Sequence, residues 1–559
     1  MIVVIFGKCV GRYVAGGNQH GFCNGRPGEL FVKVVTNFWS SHLGGRWSCL
    51  AFRLAANVVH YAVCGILNLS KFVGKGNSMA YKDLQEFASR LEKTGQLKRI
   101  TVEVDPELEI TEIADRVVKA GGPALLFERV KGSKYPVLIN AFGTMERMAS
   151  ALGVGDLDEI GAEIAEYFEI SQYIGLINQV KAVPRLTRLA NVFPKKLSGR
   201  GACQEVVERS PDLSALPVLK CWPGDAGRFF TLPLVFTRDP DTSTQNCGMY
   251  RLQVYDNTTT GMHWHLHKDG RAIFEKYKAL GGKMPVSVAL GCDPAITYAA
   301  TAPLPSIIDE MLFAGFLRKS PVHMVKSITN DIYVPADAEF VLEGYVDANE
   351  PLRREGPFGD HTGYYSLADD YPVFHVECIT HKERPVYPAT VVGKPPMEDC
   401  FLGKATERIF LPLLKLQLPE IVDINFPLEG VFHNCVIVSI QKRFPGHARK
   451  LMNALWGMGQ MMYTKMIVVV DGDVSPQDIS TVAWKVFNNI DARRDLVINE
   501  GPLDALDHAS SLPHYGARLG IDATKKWPDE GHTRPWPDDI AMTDDIKAIV
   551  DGKWASYGI

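Results

Sequence analysis

From residue 79 onward the hydrophobic positions fall into regular periods. Leu84, Phe87 and Leu91 recur at helical spacing, and residues 98–105 alternate apolar and polar as a half-buried strand does. Residues 108–120 return to the helical period, and 123–130 and 135–141 read as strands. With two further helices at 146–152 and 157–168, the pattern predicts an α/β domain. A basic, proline-bearing stretch between 181 and 225 has little periodicity and marks a domain change.

Residues 226–392 are richer in strands. Runs at 249–255 and 262–268 flank Asp256-Asn257-Thr258-Thr259-Thr260-Gly261, a hairpin signal. A register centred on Thr259 sets Arg251 opposite His267, Gln253 opposite His265 and Tyr255 opposite His263. The three histidines then share one strand face by the period of two, which fits either a metal site or a solvated face. Asn246 adds an amide oxygen nearby, on the other face unless Gly248 makes a bulge. A helix at 306–318, capped by Ser306, places Glu310 on an apolar face with Phe313 and Leu317. A carboxylate there needs a partner, either a salt bridge or a metal.

Beyond residue 394 the pattern alternates again. Helices at 406–417, 447–462 and 477–489 interleave with strands at 430–440, 466–471 and 495–499, which predicts a βαβ domain on a parallel sheet. The Met-rich helix over 451–463 reads as a packing or oligomer face, and the tail from Trp527 as an extended docking arm. The chain thus divides into 1–78, 79–190, 191–395 and 396–559.

The densest chemistry lies at 354–365, Arg-Glu-Gly-Pro-Phe-Gly-Asp-His-Thr-Gly-Tyr-Tyr. Glu355 and Asp360 bracket a Gly-Pro-Phe-Gly turn able to aim both acids into one space. The stretch fits a proton-transfer site or a solvated polar loop.

Net charge narrows the partners. At -4, the chain has no basic field for nucleic acid or an anionic membrane. The eleven cysteines show no C-x-x-C pair, which favours a reducing compartment over a disulfide framework. Four of them, Cys9, Cys23, Cys49 and Cys64, fall in the first 78 residues, where Glu29 is the one acid. That segment reads as a non-native or misread extension, with an organellar transit peptide as the alternative. Its best apolar run, 49–72, holds Arg53, Asn57, His60 and Asn68 and is unsuited to spanning a membrane.

The motifs Asn246-Cys-Gly-Met-Tyr-Arg251, Asp293-Pro-Ala, Thr301-Ala-Pro-Leu-Pro305, Phe313-Ala-Gly315, Glu355-Gly-Pro-Phe-Gly-Asp-His-Thr-Gly-Tyr-Tyr365 and Gly520-Ile-Asp-Ala-Thr-Lys-Lys-Trp527 occur in that order. Together they resemble the UbiD family of reversible decarboxylases, from Met79 to about Trp536. The resemblance implies an N-terminal α/β domain, a central split β-barrel that binds flavin, and a C-terminal α/β domain that builds a homo-oligomer, a dimer or hexamer. It implies prenylated FMN, supplied by a separate flavin prenyltransferase, with Mn²⁺ and often K⁺ at its phosphate. Asn246, His267 and Glu310 match the family's metal ligands; Met249, Tyr250, Arg251, His263, Trp264, His265 and Lys268 lie along the implied cofactor site. At His263 and His265 the chain departs from its quinone-pathway relatives, which have arginine and leucine there.

Arg251, Glu355 and Asp360 match the family's catalytic trio. Arg251 is expected to grip a substrate carboxylate and couple to Glu355, which Arg354 and Arg251 together should hold ionised. Asp360, with His361 as its one neighbouring cation, is expected to have a raised pKa and to act as the general acid. The implied reaction is decarboxylation of a polyprenylated hydroxybenzoate or hydroxynaphthoate in ubiquinone or menaquinone assembly, by a cytoplasmic enzyme with peripheral membrane contact. A small unprenylated aromatic acid is the alternative substrate. A hydrolase with a histidine-bound metal, or a non-catalytic flavin-binding protein, are the rivals from other classes.

Overall fold

The computed structural model describes residues 80–172, 191–265, 268–305 and 308–559. The readings of residues 1–78, of Ser306 as a cap and of His267 fall outside them.

The first helix, Leu84–Lys93, buries Leu84, Phe87 and Leu91, and the Asp83 side chain caps it by accepting from the Glu86 N–H. Strands Leu97–Val104 and Ala124–Val130 pair in parallel, joined through helix Glu109–Lys119, and Val137–Ile139 runs antiparallel beside them. Alternation had suggested a half-buried first strand, but only Leu97 and Val104 at its ends are buried. The fourth strand of this sheet, Tyr387–Pro388, comes from far along the chain and pairs in parallel with Val137–Leu138.

The central sheet has the order Thr259–Gly261, Val373–His381, Phe340–Asp347, Lys283–Leu290, Leu234–Arg238, Gln245–Met249, all antiparallel. Val206–Glu208 adds to the far end of Val373–His381, so part of the aperiodic stretch before 225 belongs to this sheet. Valine and leucine from alternate positions, among them Val286, Val288, Leu342 and Val346, pack one face into a common core with Trp264 and Phe274.

Helix Glu398–Gln417 begins eight residues before the expected 406. Its first residue is a buried carboxylate that accepts from the Asn140 N–H (3.2 Å), the Phe142 N–H (2.8 Å) and the Thr390 hydroxyl (2.8 Å). The helix passes so near Asp158–Gln172 that a Cβ at Gly161 would lie 2.9 Å from the Arg408 carbonyl oxygen.

The last sheet has the order Ile421–Asn425, Cys435–Ile440, Met466–Asp471, Tyr515–Asp522, Leu496–Pro502. It is mixed rather than parallel. The inner pairings are parallel, but both edge strands run antiparallel because residues 426–434 and 503–514 return the chain beside the neighbouring strand without the crossover α-helix that a parallel neighbour takes. Helix His447–Trp456 buries Ala448, Leu451, Met452, Leu455 and Trp456 on this sheet but ends short of the expected 462, and the Met-rich 459–463 forms a 3-10 turn with no buried residue, Met458 and Met461 packing only partly against the core. The closing helix Asp544–Lys553 buries no side chain. Among the described residues, no helix is long and apolar enough to cross a membrane.

Candidate active site

The site forms where the central sheet gives way to short strands. Gln245–Met249 ends the sheet, and Leu252–Gln253 turns away to pair with Phe229–Phe230, which leaves Tyr250 and Arg251 at the bend. The hairpin after it is tighter than expected. Val254 bridges Thr260 and the Tyr255 N–H donates to the Thr259 carbonyl, a register centred on Asn257 rather than on Thr259. The cause is the Asp256 carboxylate, which accepts from the N–H groups of Thr258 and Thr259 (2.9 Å each) and closes the turn early. The second strand stops at Gly261, so strict alternation does not extend through His263 and His265.

The glycine-framed loop is fixed by buried polar side chains from elsewhere. Gly356, at φ +85°, donates its N–H to the Gln253 side-chain oxygen (2.7 Å), and Gly359 donates to Asp225 (2.7 Å). Asp225 also accepts from the N–H of Trp222 (2.8 Å), and the Trp222 indole fills the space a Cβ on Gly359 would take, 2.2 Å away. The turn therefore presents Glu355 inward, fully buried, while Arg354 projects outward toward Asp370 at 3.6 Å instead of supporting Glu355.

Arg251 joins the two acids. Its Nε and Nη2 donate to Glu355 at 2.8 and 3.1 Å, its Nη1 donates to Asp360, and Nη2 also donates to the Ser366 hydroxyl at 3.1 Å. The guanidinium lies 4.7 Å over the Phe358 ring. His263 Nδ1 lies 3.0 Å from Glu355, its Nε2 meets His265 Nε2, and its ring packs 4.3 Å from Tyr371. Both ring nitrogens of His263 are thus engaged within this cluster.

Burial would raise the Glu355 carboxyl, but the hydrogen bonds from His263 and Arg251 and the arginine charge outweigh it and bring the pKa down to about 2. Asp360 departs from expectation. Burial favours its neutral form, yet the hydrogen bond from His361 and the charge of Arg251 prevail and hold it well below the usual carboxylate range. The sequence shows His361 beside Asp360 but not Arg251, which reaches it across 109 residues. Both acids are therefore ionised around one arginine. His263 is lowered by burial and by Arg251, and His265 falls to about 3 through burial and the neighbouring His263.

A second cluster joins Asn246 and Glu310. Glu310 opens helix Glu310–Arg318, whose N-cap is Asp309, and it accepts from the Asn246 amide (3.0 Å) and the Cys247 N–H (3.2 Å). Burial raises its pKa to about 7. The Asn246 side-chain oxygen is buried without a hydrogen-bond partner. Of the other residues singled out, Met249 and Tyr250 directly precede Arg251, Trp264 packs against Phe274 at 5.7 Å, and Lys268 is exposed at the start of helix Asp269–Leu280.

Sequence reasoning missed the C-terminal side of the site. His433 Nε2 lies 2.8 Å from His361 Nε2, and the Phe432 ring stacks on His361 at 5.0 Å. Asp225 and Ser366 were missed too, and Gln253 was placed opposite His265 rather than on Gly356, since each acts through a contact that local spacing does not encode.

Family models match three stretches in chain order. They are the 3-octaprenyl-4-hydroxybenzoate carboxy-lyase N-terminal domain at residues 88–167, the Rift-related domain at 195–395 and the C-terminal domain at 400–523. An uncharacterized protein of Archaeoglobus fulgidus is 54% identical over 478 residues, 85% of this chain and 98% of its own. The vanillic acid decarboxylase of Sedimentibacter hydroxybenzoicus in closed form has a TM-score of 0.73 at 29% identity, over 85% of this chain and 99% of its own. An evolved dimeric form of the UbiD-class enzyme HmfF from Pelotomaculum thermopropionicum, in complex with prFMN, has a TM-score of 0.69 at 28% identity, over 84% and 98%. The motifs named at the outset lie within or beside the matched segments, and the chain belongs to the UbiD family of carboxy-lyases.

Proposed function

We propose that this chain is a prenylated-FMN-dependent decarboxylase of an aromatic carboxylic acid, with a polyprenylated hydroxybenzoate or hydroxynaphthoate of quinone biosynthesis as its substrate. The observation that carries the reading is the buried trio of Arg251 with Glu355 and Asp360, within the region matched by the family's central domain. When bound, prenylated FMN supplies an acceptor for the electron pair released with CO₂.

A divalent cation fits the second cluster. The unpartnered Asn246 oxygen and the Glu310 carboxylate, whose pKa burial raises, are hard oxygen donors that suit Mn²⁺. Asn246, Glu310 and His267 would hold the metal, with K⁺ as a second ion. Met249, Tyr250 and Arg251, with His263, Trp264, His265 and Lys268 beyond them, would line the flavin, which a separate flavin prenyltransferase must supply.

Arg251 orients the substrate. A guanidinium has five N–H donors and four are engaged, which leaves one on Nη1 for the incoming carboxylate, close to Asp360. Glu355 stays ionised and fixes the arginine plane. A third anion beside Arg251 favours protonation of Asp360, which then delivers the proton to the vacated carbon. The general-acid role is thus acquired on substrate binding and is absent in the resting state.

A small unprenylated hydroxybenzoate is the second reading, favoured by the likeness to a vanillic acid decarboxylase. Co-expression with a flavin prenyltransferase, followed by mass spectrometry of the bound cofactor and turnover of prenylated and unprenylated acids, tests both. Prenylated FMN with turnover of the prenylated acid supports the first. Turnover of vanillate-type acids alone supports the second, and zinc without flavin supports a hydrolase.

A further inference from the structure

We propose that His361 is the proton store for Asp360, and that His433, brought in by the C-terminal sheet's leading loop, is the positioning residue that keeps that store charged; the proposal rests on the decarboxylase reading above.

The geometry is a chain of short contacts. Asp360 accepts from the His361 backbone N–H at 2.8 Å and faces His361 Nδ1 at 3.0 Å, while His361 Nε2 faces His433 Nε2 at 2.8 Å. The Phe432 ring lies nearly parallel to the His361 imidazole, at 5.0 Å and 23°. The loop that brings Phe432 and His433 here is strained. Val431 and Phe432 have φ of 45° and 51°, in the left-handed region that a β-branched valine rarely enters. Asn434 locks the turn by donating to the Gly430 carbonyl at 2.8 Å, and Gly403 makes room for it, since a Cβ there would lie 2.6 Å from Phe432 Cβ. Backbone strain that aims two side chains at one imidazole points to a role for the contact.

The pairing assigns the proton. His361 Nδ1–H donates to the ionised Asp360, so its second proton, on Nε2, needs an acceptor, and neutral His433 supplies one. Burial disfavours the imidazolium at His361, but the hydrogen bond and charge of Asp360 raise its pKa nonetheless, with Asp399 at the head of helix Glu398–Gln417 and Asp504 in the loop after Leu496–Pro502 adding to the effect. His433 is lowered to about 4 by burial and by its charged neighbour, so it stays an acceptor.

In turnover the bond to the carboxyl carbon breaks and CO₂ leaves. On substrate binding His361 Nδ1–H passes to the Asp360 carboxylate, and the electron pair left behind ends in a new C–H bond to that proton. Neutral His361 regains one proton from bulk water before the next cycle. The balance is one proton consumed per CO₂, with no oxidant or reductant.

Histidine NMR on the full chain tests the proposal without need of activity. The His361 signals are those lost in His361→Gln; in the wild type they should titrate above 6.5, the ordinary histidine value, in His433→Leu at lower pH, and in His433→Gln, whose amide oxygen still accepts, close to wild type. In the loaded enzyme, His433→Leu should match wild-type kcat at pH 6, fall about tenfold below it at pH 8 as the store empties, and keep its KM. A His361 titration identical in wild type and His433→Leu overturns the proposal, as does a loss of kcat that is equal at every pH. The NMR shifts without decarboxylation of any aromatic acid would support the histidine pair and overturn the functional reading instead.

Discussion

Replacing Glu355 with glutamine removes a charge at constant volume from a fully buried position. In the native chain the pKa of this carboxyl falls from 4.5 to about 2, so the ionised form is favoured by roughly 3 kcal/mol at 1.36 kcal/mol per pH unit. The folded value lies below the unfolded one. Its contribution is therefore complete above pH 4.5 and is lost as pH falls through about 2. The amide also turns an N–H toward either Arg251 or His263, where the native group accepts from both. Glu355→Gln should cost about 3 kcal/mol at pH 7, within the ~3–5 kcal/mol typical of breaking a buried ion pair. Much of that deficit should vanish near pH 2.5. In thermal melts this is a fall on the order of 5 °C at neutral pH, narrowing in acid. An unchanged melting temperature at pH 7, or a deficit equal at both pH values, would refute the assignment of Glu355 as an ionised partner of Arg251.

Arg251→Lys keeps the charge but offers no planar fork for two carboxylates, so kcat/KM should fall at least about 100-fold, a loss of some 3 kcal/mol that steady-state kinetics would read. Glu310→Gln should lower Mn²⁺ and flavin content together in purified protein, as measured by metal analysis and absorbance; normal occupancy of both would assign the carboxylate another task. Gly359→Ala places a methyl 2.2 Å from the Trp222 ring, which the Trp222 indole N–H to Val392 carbonyl bond (2.9 Å) holds in place, so the variant should lose about 1–3 kcal/mol, read from denaturant unfolding.

Periodicity read the parts of this chain in which one face is buried over several turns. Leu84, Phe87 and Leu91, or Leu451, Met452 and Leu455, declare a helix because each contributes to the same core. It failed where one polar side chain reset the backbone. Asp256 closed the hairpin early, on Asn257 rather than Thr259, and nothing in the alternation of residues 262–268 carries that information. The sheet of the last domain read as parallel because helices and strands alternate; its edge strands run antiparallel because no α-helix crosses over after 425 or 502. The acids at 355 and 360 were legible from glycine spacing. Their charge states were not, since Arg251, His263 and His433 reach them from distant segments, and the left-handed turn at Val431 has no residue type that announces it.

The most direct measurement is decarboxylation in D₂O by wild type and Asp360→Asn, each co-expressed with a flavin prenyltransferase. The account predicts that both proteins hold prenylated FMN equally, that wild type releases CO₂ and returns a product with one deuterium at the vacated carbon, and that Asp360→Asn does neither at a measurable rate. An Asp360→Asn protein that decarboxylates and deuterates at the wild-type rate would contradict it.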